Sequence, residues 1–135
     1  MKLSNPIRTS IAALAIGAAL GPPAHAASAA ELQAAYTAQA AAPANVERGQ
    51  QLFTTRHGRE WSCSSCHGAL PTRAGSHAAT GKPIGPLAPA FNAERFADAV
   101  KTEKWFRRNC NDVVGRACNA AEKADVISWL RTLEP

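Results

Sequence analysis

Methionine is absent after the first residue, tyrosine occurs once, and phenylalanine and tryptophan together number only seven. The one long apolar run, residues 11–20, follows Lys2 and Arg8 and precedes Ala24-His25-Ala26, an A-x-A cleavage pattern. That stretch reads as a secretory signal peptide over residues 1–26, too short in its apolar part to span a bilayer. No later run is apolar enough to cross a membrane, which excludes a channel. The expected mature chain, residues 27–135, is the length of one domain, which excludes a two-domain enzyme. The 46% hydrophobic content is nearly half alanine, 30 residues. Beyond residue 26 only 21 large apolar residues remain. A small domain with so little to bury needs a staple or a metal in its middle.

Charge of either sign is sparse. The formal net charge is +5, of which Lys2 and Arg8 belong to the leader, and Arg107-Arg108 is the only basic doublet. Export and scattered cations argue against nucleic acid as a partner; a mildly basic rim suits an acidic protein.

No internal repeat is present. Ser28 followed by Glu31 predicts a capping box opening an alanine-rich helix with Leu32, Ala35 and Tyr36 on one face. After Pro43, a second helix is expected from Asn45 to about Thr54, where Val46, Gly49 and Phe53 share a face. Gly49 inside it predicts that another helix crosses closely there. From Pro71 to Asn92 prolines and glycines predict a long irregular loop of functional kind. Asn92 is expected to cap a short helix through Phe96 and Val100, and Thr102 another through Trp105, Phe106 and Arg108. The last helix should start at Asn119, with Glu122 as capping partner, and bury Val126, Trp129, Leu130 and Leu133. With no alternating β-branched run, the domain is all-α.

The four cysteines are Cys63, Cys66, Cys110 and Cys118. Cys63-Ser64-Ser65-Cys66-His67 is C-x-x-C-H, the attachment pattern of c-type haem. Two thiols three positions apart can each form a thioether with a porphyrin vinyl group, and the next residue supplies the proximal imidazole. A redox dithiol would want a βαβ context, and zinc a second ligand pair of suitable spacing; Cys110 and Cys118 are eight apart. The pattern therefore predicts one covalent haem c, which also supplies the missing apolar centre. In an oxidising compartment Cys110 and Cys118 are expected to pair as a short-loop disulfide.

The sixth iron ligand is open at this level. A methionine is excluded, because Met1 lies in the leader. His57 is on the stretch that delivers His67, and His77 sits in the Pro/Gly loop. Asn109 lies 42 residues beyond His67, beside Cys110, but spacing alone reads it as a helix C-cap. Trp105 and Phe106 either wall the distal pocket or pack in the core, and Arg107 and Arg108 either pair with a propionate or are solvated.

From about Val46 to Leu130 the chain resembles the sphaeroides haem protein family, periplasmic single-haem cytochromes c. The matching stretches are Glu47-Arg48-Gly49, Cys63-x-x-Cys66-His67-Gly68, Thr72-Arg73-Ala74-Gly75 and Thr80-Gly81-Lys82. They continue in Pro86-Leu87-Ala88-Pro89, Glu103-Lys104-Trp105, Arg108-Asn109-Cys110-Asn111, Gly115-Arg116, Cys118 and Glu122-Lys123-Ala124-Asp125. The resemblance implies a cytochrome c fold, His67 and Asn109 as axial iron ligands, and a Cys110–Cys118 disulfide. It implies that asparagine leaves the iron on reduction, opening a site for O2 or another diatomic ligand. It further implies redox partners among membrane cytochromes b and di-haem cytochromes c. The related cytochromes c'' place a histidine just before the first disulfide cysteine, whereas this chain has Asn109. The stretch Ser76-His77-Ala78-Ala79 is longer than the family pattern.

An amide oxygen is a hard, weak donor that suits ferric better than ferrous iron, which agrees with that implication. Three functions compete on the sequence: a redox-gated binder of a diatomic gas, a plain electron shuttle with His77 as ligand, and an oxygen or peroxide reductase. No obvious distal acid–base pair supports the last.

Overall fold

A computed structural model describes residues 27–135; the expected signal peptide, residues 1–26, lies outside the described residues. In chain order come helices α1 (Ala29–Ala40), α2 (Val46–Thr54) and α3 (Cys63–His67), then two-residue strands β1 (Gly75–Ser76) and β2 (Pro83–Ile84). A 3-10 turn (Pro89–Phe91) and helices α4 (Ala99–Val113) and α5 (Ala120–Arg131) complete the fold. No helix among the described residues is long and apolar enough to cross a membrane.

Local capping chemistry explains three of the starts. Ser28 and Glu31 form the expected box, with Ser28 Oγ accepting from the Glu31 amide and Glu31 Oε2 from the Ser28 amide. Asn45 accepts from the Arg48 amide at 2.7 Å, and Asn119 and Glu122 form a second box. In each, a side-chain oxygen satisfies an N–H that the helix itself leaves unpaired.

The core lies between α1, α2 and α5. Phe53 stacks at 4.9 Å on Trp129, and Ile127 and Leu130 are completely buried beside Leu32, Tyr36, Phe96 and Val126. Gly49 is where α2 touches α5: a β-carbon there would stand 2.0 Å from the Asp125 carbonyl oxygen. The close crossing expected from that glycine is present. Asp125, 4% exposed, accepts from the Asn45 amide at 2.6 Å and from Arg48 Nε and Nη2 at 2.8 and 3.0 Å. A buried carboxylate with three donors is fully satisfied, and it locks the start of α2 to α5.

The region 92–113 differs from expectation. Two short helices capped by Asn92 and Thr102 are replaced by one helix, α4, capped by Asp98 through the Lys101 amide at 2.9 Å. The reason is Phe96, whose φ of 63° is left-handed and incompatible with a right-handed helix through it. Residues 92–97 form turns instead, and Thr102 is a buried residue of α4. The Pro71–Asn92 stretch carries a small antiparallel bridge, Gly75 opposite Ile84 and Ser76 opposite Pro83.

Carboxylates paired with cations add pH-dependent stability. Lys123 donates to Glu103 and Arg116 to Glu122, and these bonds hold both carboxyls below the usual carboxylate range. A depressed carboxyl contributes stability that is present above its unfolded value and is lost as pH falls through its folded value. The urea midpoint should therefore drop on acidification below the ordinary carboxylate range. The drop should be shallower in a Glu103→Gln, Glu122→Gln double variant; an identical acid profile would contradict these pairings.

Candidate haem centre

Helix α3 is short because its sequence punctuates it. Ser62, 4% exposed, donates its amide to Ser65 Oγ at 3.0 Å, and its hydroxyl lies 2.8 Å from Ser64 Oγ. At the other end Gly68 adopts a φ of 78°, which an L side chain resists, and the chain turns away. The intervening turn presents Cys63 and Cys66, both unpaired thiols, with His67 immediately after.

The chain following α3 folds back on it. A β-carbon at Gly75 would lie 2.1 Å from the Cys66 carbonyl oxygen, so only glycine lets β1 run so close. The Ala78 amide then donates to Cys66 Sγ at 3.2 Å, a bond that a thioether sulfur could still accept. Burial pushes the Cys63 thiol up to about 11. That is the opposite of the low value that marks a reactive dithiol. Among the described residues no group of three or more His, Cys, Asp and Glu side chains could hold a metal ion.

His67 packs against Phe53, ring centroids 6.0 Å apart. Burial first, and the Arg95 guanidinium second, lower its pKa to about 4. The imidazole is therefore neutral at physiological pH, the form that binds a metal. Among the described residues Leu70, Phe91, Val100 and Trp105 keep large apolar areas out of the protein core. Two adjacent thiols, a neutral imidazole and uncovered apolar side chains fit a covalently attached porphyrin.

Asn109 does not end its helix. Helix α4 runs four residues further, to Val113, with Val114 as C-cap, so the C-cap expected from spacing alone is corrected. The local backbone bond goes to Asn111, whose Nδ2 donates to the Arg107 carbonyl at 2.7 Å. Among the described residues no hydrogen-bond partner holds the exposed Asn109 amide. The disulfide Cys110–Cys118, Cα–Cα 5.6 Å, fastens the next residue to the segment leading into α5.

The two aromatic candidates separate. Phe106 packs edge-on against Tyr36, centroids 6.0 Å apart, and joins the core. Trp105 stays half-exposed, one turn before Asn109 and on its face, with Arg108 over its ring at 5.7 Å. His77 lies in the β1–β2 connection, which is seated on Cys66 through Ala78; its Nδ1 is buried without a partner. His57 Nε2 instead lies 2.9 Å from the Leu52 carbonyl.

Sequence reading missed Arg95. Its Nε donates to the Pro86 carbonyl at 2.8 Å and its Nη2 to the Gly85 carbonyl at 2.9 Å, while Asn92 Nδ2 also bonds Pro86. The Leu87 and Ala88 amides in turn hold the Pro71 carbonyl. Arg95 thus pins the loop that backs onto the segment after His67. Asn92, taken for a helix cap, was the one visible trace of this arrangement.

Comparison with known proteins decides the family. A domain family described as "Domain of unknown function (DUF1924)" matches residues 39–130. The cytochrome c-type protein SHP of Cereibacter sphaeroides is 51% identical over 105 residues, covering 75% of this chain and 81% of that protein. The chain belongs to the sphaeroides haem protein family. Its fold is that of the family: the structure of oxidized SHP, an oxygen binding cytochrome c, superposes with a TM-score of 0.75 at 48% identity, over 80% of this chain and 99% of that one. Cytochrome c'' from Methylophilus methylotrophus is 45% identical over 80 residues, 59% of this chain and 56% of that protein. Its oxidized crystal structure matches with a TM-score of 0.69 at 37% identity, over 79% of this chain and 95% of that one. The chain is thus an all-α, mono-haem cytochrome c with one covalently bound haem.

Proposed function

We propose that this haem protein accepts electrons in the periplasm and, on reduction, releases Asn109 from the iron to admit O2 or another diatomic ligand. The bound haem supplies a one-electron centre whose vacant coordination position takes small gases. Cys63 and Cys66 would hold the porphyrin by thioethers, His67, packed beside Phe53, would supply an imidazole to its iron, and Asn109 would supply an amide oxygen. Its amide oxygen is a hard donor, matched to ferric iron and poorly matched to ferrous, and once detached its NH2 can donate a hydrogen bond to the incoming ligand. Trp105 shields that side. The electrons come from a redox partner protein; a di-haem cytochrome c or a membrane cytochrome b would serve. The leader-like residues 1–26 support the periplasmic location.

One observation carries this reading. Asn109 stands inside α4 with its side-chain amide uncommitted among the described residues and its backbone neighbour tied by a disulfide, a placement that suits a weak ligand. The β1–β2 connection bearing His77 is instead seated on Cys66, which favours Asn109 over His77. The oxygen binding described for oxidized SHP's protein points the same way.

The test is spectroscopy of the holoprotein in both oxidation states with carbon monoxide added. A low-spin ferric haem, a high-spin ferrous haem and rapid CO binding are expected. A six-coordinate, low-spin ferrous haem inert to CO would leave a plain electron shuttle.

A further inference from the structure

The mounting of α4 raises a question that disulfide and iron ligand do not answer. Thr102, Phe106, Cys110 and Val113 face inward, yet the helix is short of apolar side chains. A polar cluster one and a half turns before Asn109 adds to that packing. Glu103 Oε2 accepts from Tyr36 Oη at 2.8 Å, and Lys123 Nζ donates to Glu103 Oε1 and Oε2 at 2.6 and 2.8 Å. Lys123 also lies 5.2 Å from the centroid of the Tyr36 ring, which packs T-shaped with Phe106. One carboxylate therefore joins three helices, α1, α4 and α5. The Lys123 side chain is 12% exposed and that of Glu103 48%, so the pair is sheltered on the lysine side and open to solvent on the other.

Beside the packing of Phe106 and the bond from Arg59 to the Asn111 carbonyl, Glu103 and Cys110 fasten α4 on either side of Asn109. Six residues separate Glu103 from Asn109, about 9 Å along the helix axis. The disulfide prevents α4 from leaving but not from rolling about its axis, because a single covalent tie leaves that freedom. The Glu103 cluster, reaching to α1 on one side and α5 on the other, restricts it. A roll of a few tens of degrees would carry a short asparagine side chain out of bonding distance.

We propose that Glu103 is a positioning residue for the sixth ligand: clamped by Tyr36 and Lys123, it sets the roll of α4 and so the strength with which Asn109 holds ferric iron. This rests on the assignment of Asn109 made above. Glu103 touches neither haem ligand nor gas and acts only through the helix. Loosening the clamp destabilises the ferric, asparagine-bound state relative to the ferrous, open one. Exogenous anions then enter the ferric protein faster, and the reduction potential rises.

Four variants of the holoprotein test this, read by azide association to the ferric form, the ferric spectrum and the midpoint potential. Glu103→Gln keeps the side-chain size but discards the charge that Lys123 needs; azide association should quicken about fivefold, with a rise in potential. Five-fold corresponds to about 1 kcal/mol, within the range of a charge-assisted bond. Tyr36→Phe keeps both ring contacts and removes one donated hydrogen, so it should move the same readouts less, and it serves if Glu103→Gln does not fold. Arg48→Gln breaks the Arg48–Asp125 pair between α2 and α5 and should lower the melting temperature without changing azide entry. Asn109→Ala sets the upper limit.

If Glu103→Gln and Tyr36→Phe leave azide rates within twofold of wild type and the potential unmoved while Asn109→Ala changes both, Glu103 does not position the ligand and the Asn109 assignment stands. An Arg48→Gln effect on azide entry as large as that of Glu103→Gln also overturns the proposal, because general loosening would then explain it. If Asn109→Ala itself changes nothing, the Asn109 assignment fails and this inference with it.

Discussion

Asn109→Ala yields a ferric protein that binds azide at least about tenfold faster than wild type, with a spectrum shifted from low to high spin. Exogenous anions reach ferric iron only when the sixth ligand is off. Removing a ligand whose occupancy is worth as little as about 1.4 kcal/mol already changes the accessible fraction tenfold. Because the amide favours the ferric state, its loss also raises the midpoint potential. Asn109→His is the converse: an imidazole nitrogen is a stronger donor than an amide oxygen, so azide should enter the ferric form of that variant more slowly than wild type. Stopped-flow azide binding checks both. Unchanged ferric spectra and anion rates in Asn109→Ala would remove asparagine from the iron and require another distal ligand.

Gly49→Ala should cost more stability than any conservative change at the protein surface. Alanine is the better helix former by about 1 kcal/mol, so an isolated helix would gain from it. Here the added methyl would stand 2.0 Å from the Asp125 carbonyl oxygen and 2.9 Å from the Val126 amide nitrogen, both backbone atoms that cannot rotate aside. Helix α2 has to back away from α5, which strains the Asn45 and Arg48 bonds to Asp125 and parts Phe53 from Trp129. Overpacking of this kind costs about 3 kcal/mol or more, which lowers the melting temperature of so small a domain by more than about 10 °C. Thermal unfolding followed at the haem band and by far-ultraviolet dichroism measures it. A melting temperature equal to or above wild type would mean that the two helices are not in the contact described.

These two residues show what kind of information was local. Gly49 stood out because a glycine inside an amphipathic helix has a cost that only a close neighbour offsets, and α5 is that neighbour. The capping residues Ser28, Asn45 and Asn119 were readable because each satisfies amides two or three positions away. Asn109 was only half-readable: its type and its place beside Cys110 were visible, but spacing made it a helix end. The true end lies at Val113: α4 starts at Ala99, capped by Asp98 after the left-handed Phe96, and runs four residues past Asn109. No feature of the segment 92–98 announces a positive φ at a phenylalanine, since the surrounding packing imposes it. The bonds from Arg95 to Gly85 and Pro86 escaped for a related reason, as did those from Tyr36 and Lys123 to Glu103. Their partners are 9 to 67 residues apart, and each residue alone reads as an ordinary surface side chain.

By itself the amino-acid order determined an all-helical chain with one covalently bound haem and no methionine to complete its iron, because C-x-x-C-H, helix caps and residue counts are properties of adjacent positions or of composition. Only the tertiary structure decided where α4 starts and stops, which aromatic enters the core, and which side chains brace the helix that carries Asn109. Those outcomes depend on groups distant in sequence competing for the same space and the same hydrogen bonds, and that competition is settled only when the helices pack.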